Sequence, residues 1–187
     1  MLKRIGKIKM NDKIRISGII QEDTANGPGI RTTIFTQGCE IHCPGCQNSQ
    51  TWDINGGTEY TVEELLEKIH DDILSYAVTI SGGEPTLQYR QLLPLVQHLK
   101  HEGYNLLLFT GKTYKELMND SKLHTFLKCF NYIKAGPWIA KLQSWDINFR
   151  GSTNQRIYSV DQGSNNLCLK DISNKVDHFL MWSDGDE

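Results

Sequence analysis

Three short apolar segments, each followed at once by glycine or cysteine, constrain the fold of this chain more than any other feature. They are residues 32–37, 77–81 and 105–110, and stretches with helical spacing of apolar residues lie between them. Strands that alternate with helices form parallel sheets through right-handed crossovers, and a continuous apolar run such as NLLLF fits a sheet covered on both faces. The pattern therefore predicts an α/β fold with a parallel sheet.

Local signals place the remaining elements. Thr61 and Glu64 form a capping-box pattern that predicts a helix reaching Ile73, and Thr113 with Glu116 repeats that pattern before a shorter helix. The carboxyl ends of parallel strands meet at one edge of a sheet, so the loops after the three apolar segments should form one site. The other predicted elements are strands over 13–21 and 132–134 and helices over 88–102 and 123–129.

Charge and hydropathy exclude several classes of function. The net charge is -2, with 20 basic against 22 acidic residues and no basic block, which argues against a nucleic-acid partner. No apolar run reaches membrane-spanning length, so we expect no membrane partner. Lysines rather than an apolar core follow the first residues, so no signal peptide is indicated and we expect a cytoplasmic protein. Clustered cysteines in the reducing cytosol are more often metal ligands or catalysts than disulfides.

The clustered cysteines are Cys39, Cys43 and Cys46, in the sequence CEIHCPGC. Three thiolates on one short loop can ligate three irons of a 4Fe-4S cubane and leave the fourth iron open to a small molecule. Cys129 and Cys168 stand in no such motif, and we expect them to be buried or incidental.

Two other interpretations of this loop remain open. Cys39, His42, Cys43 and Cys46 could form a Cys3His structural zinc site, although adjacent His42 and Cys43 are awkward ligands for one ion and His42 alone suits a solvated loop. Alternatively, Cys43 and Cys46 form a C-x-x-C redox dithiol, which would leave Cys39 unused.

A second motif, Ser81-Gly82-Gly83-Glu84-Pro85, follows a predicted buried strand directly. Its glycines let backbone approach a ligand closely, and the Glu84 carboxylate can accept hydrogen bonds from an ammonium group. On this interpretation, a branched side chain at Gly83 should block ligand binding and leave a cluster in place.

The two motifs, in this order and at this interval, resemble the radical S-adenosylmethionine (SAM) superfamily. Within it, the chain is similar to the activators of the anaerobic ribonucleoside-triphosphate reductase, over about residues 14–158. The residues that carry the resemblance are Asn26-Gly27-Pro28-Gly29-Ile30-Arg31, Gln37-Gly38-Cys39, Cys43-Pro44-Gly45-Cys46, Thr51-Trp52, Ser81 to Pro85, Thr110-Gly111-Lys112-Thr113, Gly136-Pro137, Phe149-Arg150-Gly151-Ser152 and Asn154-Gln155-Arg156.

The resemblance implies a partial (β/α) barrel in a single domain over residues 1–187, with a tail over about 160–187 that is extended or partly disordered. It implies one 4Fe-4S cluster on Cys39, Cys43 and Cys46, and SAM bound to the open iron. The residues expected to contact SAM are Gly45, Cys46, Gln47, Gly82, Gly83 and Glu84.

By the same resemblance, the chain is an oxidoreductase that cleaves SAM reductively and forms a glycyl radical on the large subunit of the anaerobic ribonucleotide reductase. The cluster and SAM carry the chemistry, so no further catalytic residue is expected. The electron would come from a reductant protein such as flavodoxin or ferredoxin. Two alternatives remain open: an activase of a different glycyl-radical enzyme, and a zinc-stabilised binding module without catalysis.

One departure from the superfamily pattern concerns adenine. Many members have an aromatic residue just before the third cysteine that packs on adenine, whereas this chain has Gly45 there. The contact must come from backbone or from elsewhere. Trp138, Trp145 and Phe149 are interpreted first as packing aromatics.

Overall fold

A single sheet organises the computed structural model, which describes residues 13–178. Within that range the eight strands lie in the spatial order β3-β1-β2-β4-β5-β6-β7-β8. They are β1 (Ile14–Asp23), β2 (Arg31–Thr36), β3 (Thr58–Tyr60), β4 (Ala77–Gly82), β5 (Asn105–Thr110), β6 (Tyr132–Ala135), β7 (Arg156–Val160) and β8 (Leu169–Asp171). The helices are α1 (Val62–His70), α2 (Tyr89–His101), α3 (Tyr114–Asn119), α4 (His124–Leu127) and α5 (Ser173–His178).

The centre of the sheet is parallel. β2 pairs with β4, β4 with β5, and β5 with β6, all in parallel register. β1 and β3 on one side, and β7 and β8 on the other, add antiparallel pairs. The predicted α/β class is confirmed, and the described sheet is open at β3 and β8, as a partial barrel requires.

The helices begin where their caps predict. The Thr61 side chain accepts from the Glu64 amide at 3.2 Å while the Thr61 amide donates to the Glu64 carboxylate at 2.7 Å. The same reciprocal pair joins Thr113 and Glu116 ahead of α3. α1 ends at His70, however, so the expectation that it reaches Ile73 is wrong, and that side chain is exposed.

Apolar faces of the helices cover the sheet. The apolar face of α2 is fully buried against the strands. Burial of each such leucine contributes about 1.5–3 kcal/mol relative to exposure, so this face is a main source of stability. Its residues are Leu92, Leu95, Val96 and Leu99.

The segment after about residue 160 contains regular structure. β8 pairs with β7 in antiparallel register, and α5 follows it to His178. The tail expected to be extended or partly disordered therefore forms a strand and a helix as far as residue 178, and its remainder lies outside the described residues. No helix in the described range is long and apolar enough to cross a membrane.

Candidate functional site

The loops that follow β2, β4 and β5 meet at one rim of the sheet, as their positions predict. The Gly83 amide donates to the Thr36 carbonyl at 2.8 Å, and the Glu84 amide donates to the Gly38 carbonyl at 2.8 Å. The loop after β4 is thus hydrogen-bonded directly to the segment that leads into the cysteines.

The cysteine loop is irregular, but its start is anchored to another segment and its end is closed by a turn. The Cys39 amide donates to the Trp52 carbonyl at 3.2 Å, and the Cys46 amide donates to the Cys43 carbonyl at 3.0 Å. The Asn48 amide donates to the Cys46 sulfur at 3.4 Å. Cys39 is buried, and the other two cysteines are half-buried.

The three thiols are close enough to affect one another electrostatically. Burial raises the pKa of the Cys43 thiol, an amide hydrogen bond from Trp138 lowers it, and the nearby charges of Cys46 and Cys39 raise it again. Three grouped thiolates repel each other unless a cation compensates them, and ligated iron provides that compensation. The donor set therefore fits a metal-sulfur cluster.

The zinc interpretation requires four ligands around one ion. Between residues 13 and 178, no three His, Cys, Asp or Glu side chains converge closely enough to hold a single metal ion. His42 instead stacks on Trp52, with ring centroids 4.6 Å apart. A cubane needs only one thiolate for each ligated iron, so it does not require the three cysteines to converge on one ion.

The redox-dithiol interpretation requires a helix after the C-x-x-C motif. Cys46 is followed by turns and a short 3-10 helix at Ser49–Thr51, and the next α-helix is α1. The other two cysteines lie elsewhere: Cys129 is buried at the end of α4, where its thiol donates to the Thr125 carbonyl, and Cys168 is exposed. Neither lines the cavity at the rim.

The two glycines of the second motif are required by backbone-to-backbone packing. A Cβ at Gly83 would lie 2.8 Å from the Gly38 carbonyl carbon and closer still to its oxygen. A Cβ at Gly82, which has a φ of 105°, would lie 2.6 Å from the Phe35 carbonyl carbon. The expectation that a branched residue at Gly83 would spare the cluster therefore needs correction, because such a residue would displace the segment that carries Cys39.

Glu84 binds protein donors in this structure. Its buried carboxylate accepts from the Thr86 amide and hydroxyl at 3.0 and 2.7 Å. It also accepts from the Thr110 hydroxyl at 2.8 Å and from the Gly111 amide at 2.8 Å. A carboxylate offers about four lone-pair sites, so these partners nearly saturate it. Glu84 thus fastens the β4 loop to the β5 loop.

A cavity of about 230 Å³ opens beside these loops. Of the predicted SAM contacts, Cys46, Gln47, Gly82 and Gly83 line it, whereas Gly45 and Glu84 do not. Most of the other lining residues were not predicted as SAM contacts, because they come from segments that are distant in the sequence. They include Asn26, Asn48, Phe109, Lys134, Trp138 and Gln155.

Trp138 is wedged between two glycines. A Cβ at Gly45 would lie 3.1 Å from the far end of the indole, and one at Gly151 would lie 2.8 Å from its pyrrole carbon. The absence of both side chains makes room for the ring. Because the indole also lines the cavity, it lies beside the position where many superfamily members carry an aromatic residue. The interpretation of Trp138 as packing alone is therefore incomplete.

Lys134 brings a positive charge to the same cavity. Its ammonium group lies 3.9 Å from the centroid of the Phe109 ring. Burial lowers the pKa of Lys134 to about 8, and the nearby Cys46 thiolate partly opposes that shift. The side chain is therefore still cationic at neutral pH, where it can attract an anionic group of a ligand.

Buried polar contacts fix the loop that contributes Gly151. The Gln155 side chain accepts from the Gly151 amide at 2.8 Å and donates to the Gly136 carbonyl at 3.0 Å. Arg31 fixes the loop before β2 in a similar way. Its guanidinium donates to the Pro28 carbonyl at 3.1 Å and to the Thr79 hydroxyl at 2.8 Å. Burial lowers the pKa of Arg31 to about 10, which leaves it charged.

Comparison with known proteins identifies close relatives. The family model described as "4Fe-4S single cluster domain" matches residues 25–158. The anaerobic ribonucleoside-triphosphate reductase-activating protein of Escherichia coli is 31% identical over 146 residues, which cover 74% of this chain and 94% of the relative. Its counterpart from Vibrio cholerae is 34% identical over 145 residues, 73% of this chain and 92% of the relative.

Two further matches are more partial. The pyruvate formate-lyase-activating enzyme of Clostridium pasteurianum is 36% identical over 118 residues, which cover 58% of this chain and 50% of the relative. Among solved structures, QueE from Escherichia coli aligns with 54% of this chain and 54% of its own, with a TM-score of 0.46 and 24% identity.

Proposed function

Because the chain belongs to the anaerobic ribonucleoside-triphosphate reductase-activating proteins and carries their 4Fe-4S single cluster domain, we propose that it is a radical SAM enzyme that forms a glycyl radical on that reductase. The observation that carries this proposal is the shared rim. Three cysteines, a Gly-Gly backbone corner and a cavity with one cationic side chain adjoin one another there.

We propose that Cys39, Cys43 and Cys46 hold the 4Fe-4S cluster and leave one iron for SAM. Their mutual influence on the Cys43 pKa and the amide directed at the Cys46 sulfur support this assignment. When bound, the cluster would supply the electron for the reductive cleavage of SAM. The chain contributes position, shielding from water, and charge compensation.

The proposed SAM contacts divide into two groups. Cys46 and Gln47 form the side of the cavity nearest the proposed cluster, and Gly45, which does not line the cavity, acts by leaving space for Trp138. Gly82 and Gly83 offer backbone carbonyls, and Glu84 holds that backbone in place through Thr110 and Gly111. An ammonium group of SAM would meet this corner, and the Glu84 charge would favour it even through occupied lone pairs.

The protein substrate we propose is the large subunit of the anaerobic ribonucleotide reductase. The hydrogen atom on the α-carbon of its glycine would pass to the 5'-carbon of SAM, which would leave a glycyl radical on the reductase. The electron that starts each cycle requires a one-electron reductant protein, for which flavodoxin or ferredoxin is the class we propose.

The test is to mix the cluster-loaded protein anaerobically with SAM, a one-electron reductant and the cognate reductase. We expect 5'-deoxyadenosine and the electron paramagnetic resonance doublet of a glycyl radical on the reductase. A parallel reaction contains pyruvate formate-lyase, since an activase of that enzyme is also similar to this chain. A doublet on pyruvate formate-lyase alone would assign the chain to that substrate, and a protein that binds zinc and never cleaves SAM would be a binding module.

Trp138 offers a test of SAM binding that does not depend on turnover. Stacking of a base, here the adenine of SAM, on an aromatic ring contributes about 1–3 kcal/mol to the free energy of binding. We therefore expect Trp138→Ala to weaken SAM binding by roughly tenfold, with Trp138→Phe closer to the wild type. Equilibrium binding to the cluster-loaded protein measures this effect.

Fragments of SAM supply the control for Trp138. The alanine variant should lose affinity for 5'-deoxyadenosine, whereas its affinity for methionine should stay unchanged. Equal losses for both fragments would show that the indole supports the cluster loop generally and does not contact adenine.

A further inference from the structure

A second cavity adjoins the first. It measures about 480 Å³ and shares a wall with the proposed SAM cavity. The residues common to both are Asn26, Gln47, Phe109, Lys134, Trp138 and Gly151. A group bound in the second cavity would therefore lie close to a ligand in the first.

The outer wall of the second cavity presents apolar surface to solvent. It is formed by the segment 143–151, in which Trp145 has 86% of its surface exposed. Leu142 and Ile139, shortly before it in the chain, are also partly exposed, at 40% and 39%. Exposed apolar side chains beside a cavity are typical of a site for another protein. A tryptophan at such a site is a frequent source of binding energy.

The base of this wall is fixed. The Asn148 side chain donates to the Val176 carbonyl of α5 at 2.9 Å, and Arg150 pairs with Asp177. Phe149 has a φ of 55°, which is uncommon for a bulky residue and is retained where surroundings enforce it. The segment that carries the exposed Trp145 is therefore held in place by its contacts with α5.

The charged residues that line the second cavity indicate the kind of partner that it can bind. Lys134 and Arg150 are the charged residues that line it, and no Asp or Glu in the described range does so. Asp177 neutralises much of the Arg150 charge, so Lys134 leaves a net positive wall. The remaining lining is aromatic, amide and backbone surface, which suits an extended peptide of neutral or acidic character.

We propose that the second cavity receives the glycine-bearing segment of the reductase, with Trp145 as its main apolar contact. This inference rests on the proposed function, because it identifies where that substrate docks. The target α-carbon must come within contact of the 5'-carbon of SAM, and this cavity shares six lining residues with the proposed SAM cavity. The hydrogen atom of the glycine would pass directly to the 5'-carbon, and the electron taken up by SAM would come from the reductant protein.

The first experiment compares Trp145→Ala with Tyr76→Ala. Tyr76 is a matched control because it is also an aromatic residue with 76% exposure, but it precedes β4 at the opposite end of the sheet. We expect the affinity of the cluster-loaded protein for the reductase to fall roughly tenfold or more in Trp145→Ala. The affinity of Tyr76→Ala should match the wild type. Equal affinities for the two variants would overturn the proposal.

The second experiment places a photo-crosslinking benzophenone side chain at residue 145, and in a control protein at residue 76. Irradiation with the reductase should join residue 145 to peptides around the radical glycine, as mass spectrometry would show. A crosslink from residue 145 to another surface of the reductase would also overturn the proposal. If the wild type formed no radical on the reductase at all, the proposed function would fail first, so the two failures are distinguishable.

Discussion

Alanine at Cys39, Cys43 or Cys46 leaves the protein without iron or sulfide. Each proposed ligand holds a separate iron, and two thiolates cannot retain a cubane that already has one open corner. The expected loss is complete rather than graded, because two thiolates leave two irons of the cubane without a protein ligand. Iron and sulfide analysis after anaerobic reconstitution, together with the visible absorbance of the cluster, measures the effect.

The chain provides two internal controls for this result. Cys129 is buried at the end of α4 and Cys168 is exposed beyond β7, and neither lines the rim cavity. Alanine at either position should leave about four irons per protein, the content of one cubane. An iron-free Cys129→Ala or Cys168→Ala variant would contradict the open-iron arrangement, and stoichiometric zinc in the wild type would replace it with a zinc site.

Valine at Gly83 abolishes both cluster retention and SAM binding. The side chain would meet the Gly38 carbonyl and would lie 3.1 Å from the Thr51 carbonyl oxygen, and both are backbone atoms that cannot rotate away. The hydrogen bond from the Glu84 amide to the Gly38 carbonyl would be lost as the two segments separate. Overpacking of this kind costs about 1–3 kcal/mol or more, and here the displacement falls on the residue before Cys39.

Gly18→Val is the matched control for Gly83→Val. Gly18 lies in β1, and a Cβ there meets no atom within 4 Å. We expect that variant to keep its iron and its affinity for SAM. A Gly83→Val protein that loads a full cluster and loses only SAM would show that the two segments can separate without disturbing Cys39.

Local signals account for the part of the fold that was predictable. Thr61 and Thr113 with their glutamates specify helix starts within four residues, and apolar runs such as 105–110 specify buried strands. β3 and β8 are edge strands of three residues, too short for a period to appear. β7 is stabilised by antiparallel pairing to β6, a partner about 20 residues away, so its own sequence carries little signal.

The residues of the candidate site were likewise predictable only in part. The cysteine motif could be identified because its spacing alone encodes ligand chemistry, and the Gly-Gly corner because it follows a strand. Lys134 and Trp138 could not, since their importance depends on where β6 ends relative to loops some 90 residues earlier. Glu84 was identified, but its hydrogen bonds to Thr110 and Gly111 come from a strand pairing that its own motif does not encode.

The indole of Trp138 has a thermodynamic consequence. It touches Gly45 on the cysteine loop and Gly151 on the outer segment, and it forms part of the wall between two cavities. If a ligand in one cavity shifts the ring, the room in the other cavity changes and the two binding equilibria become linked. Linkage is reciprocal: any factor by which SAM raises the affinity for a docked peptide is the factor by which that peptide raises the affinity for SAM. The coupling free energy between cofactor and substrate therefore has one value, whichever of the two binds first.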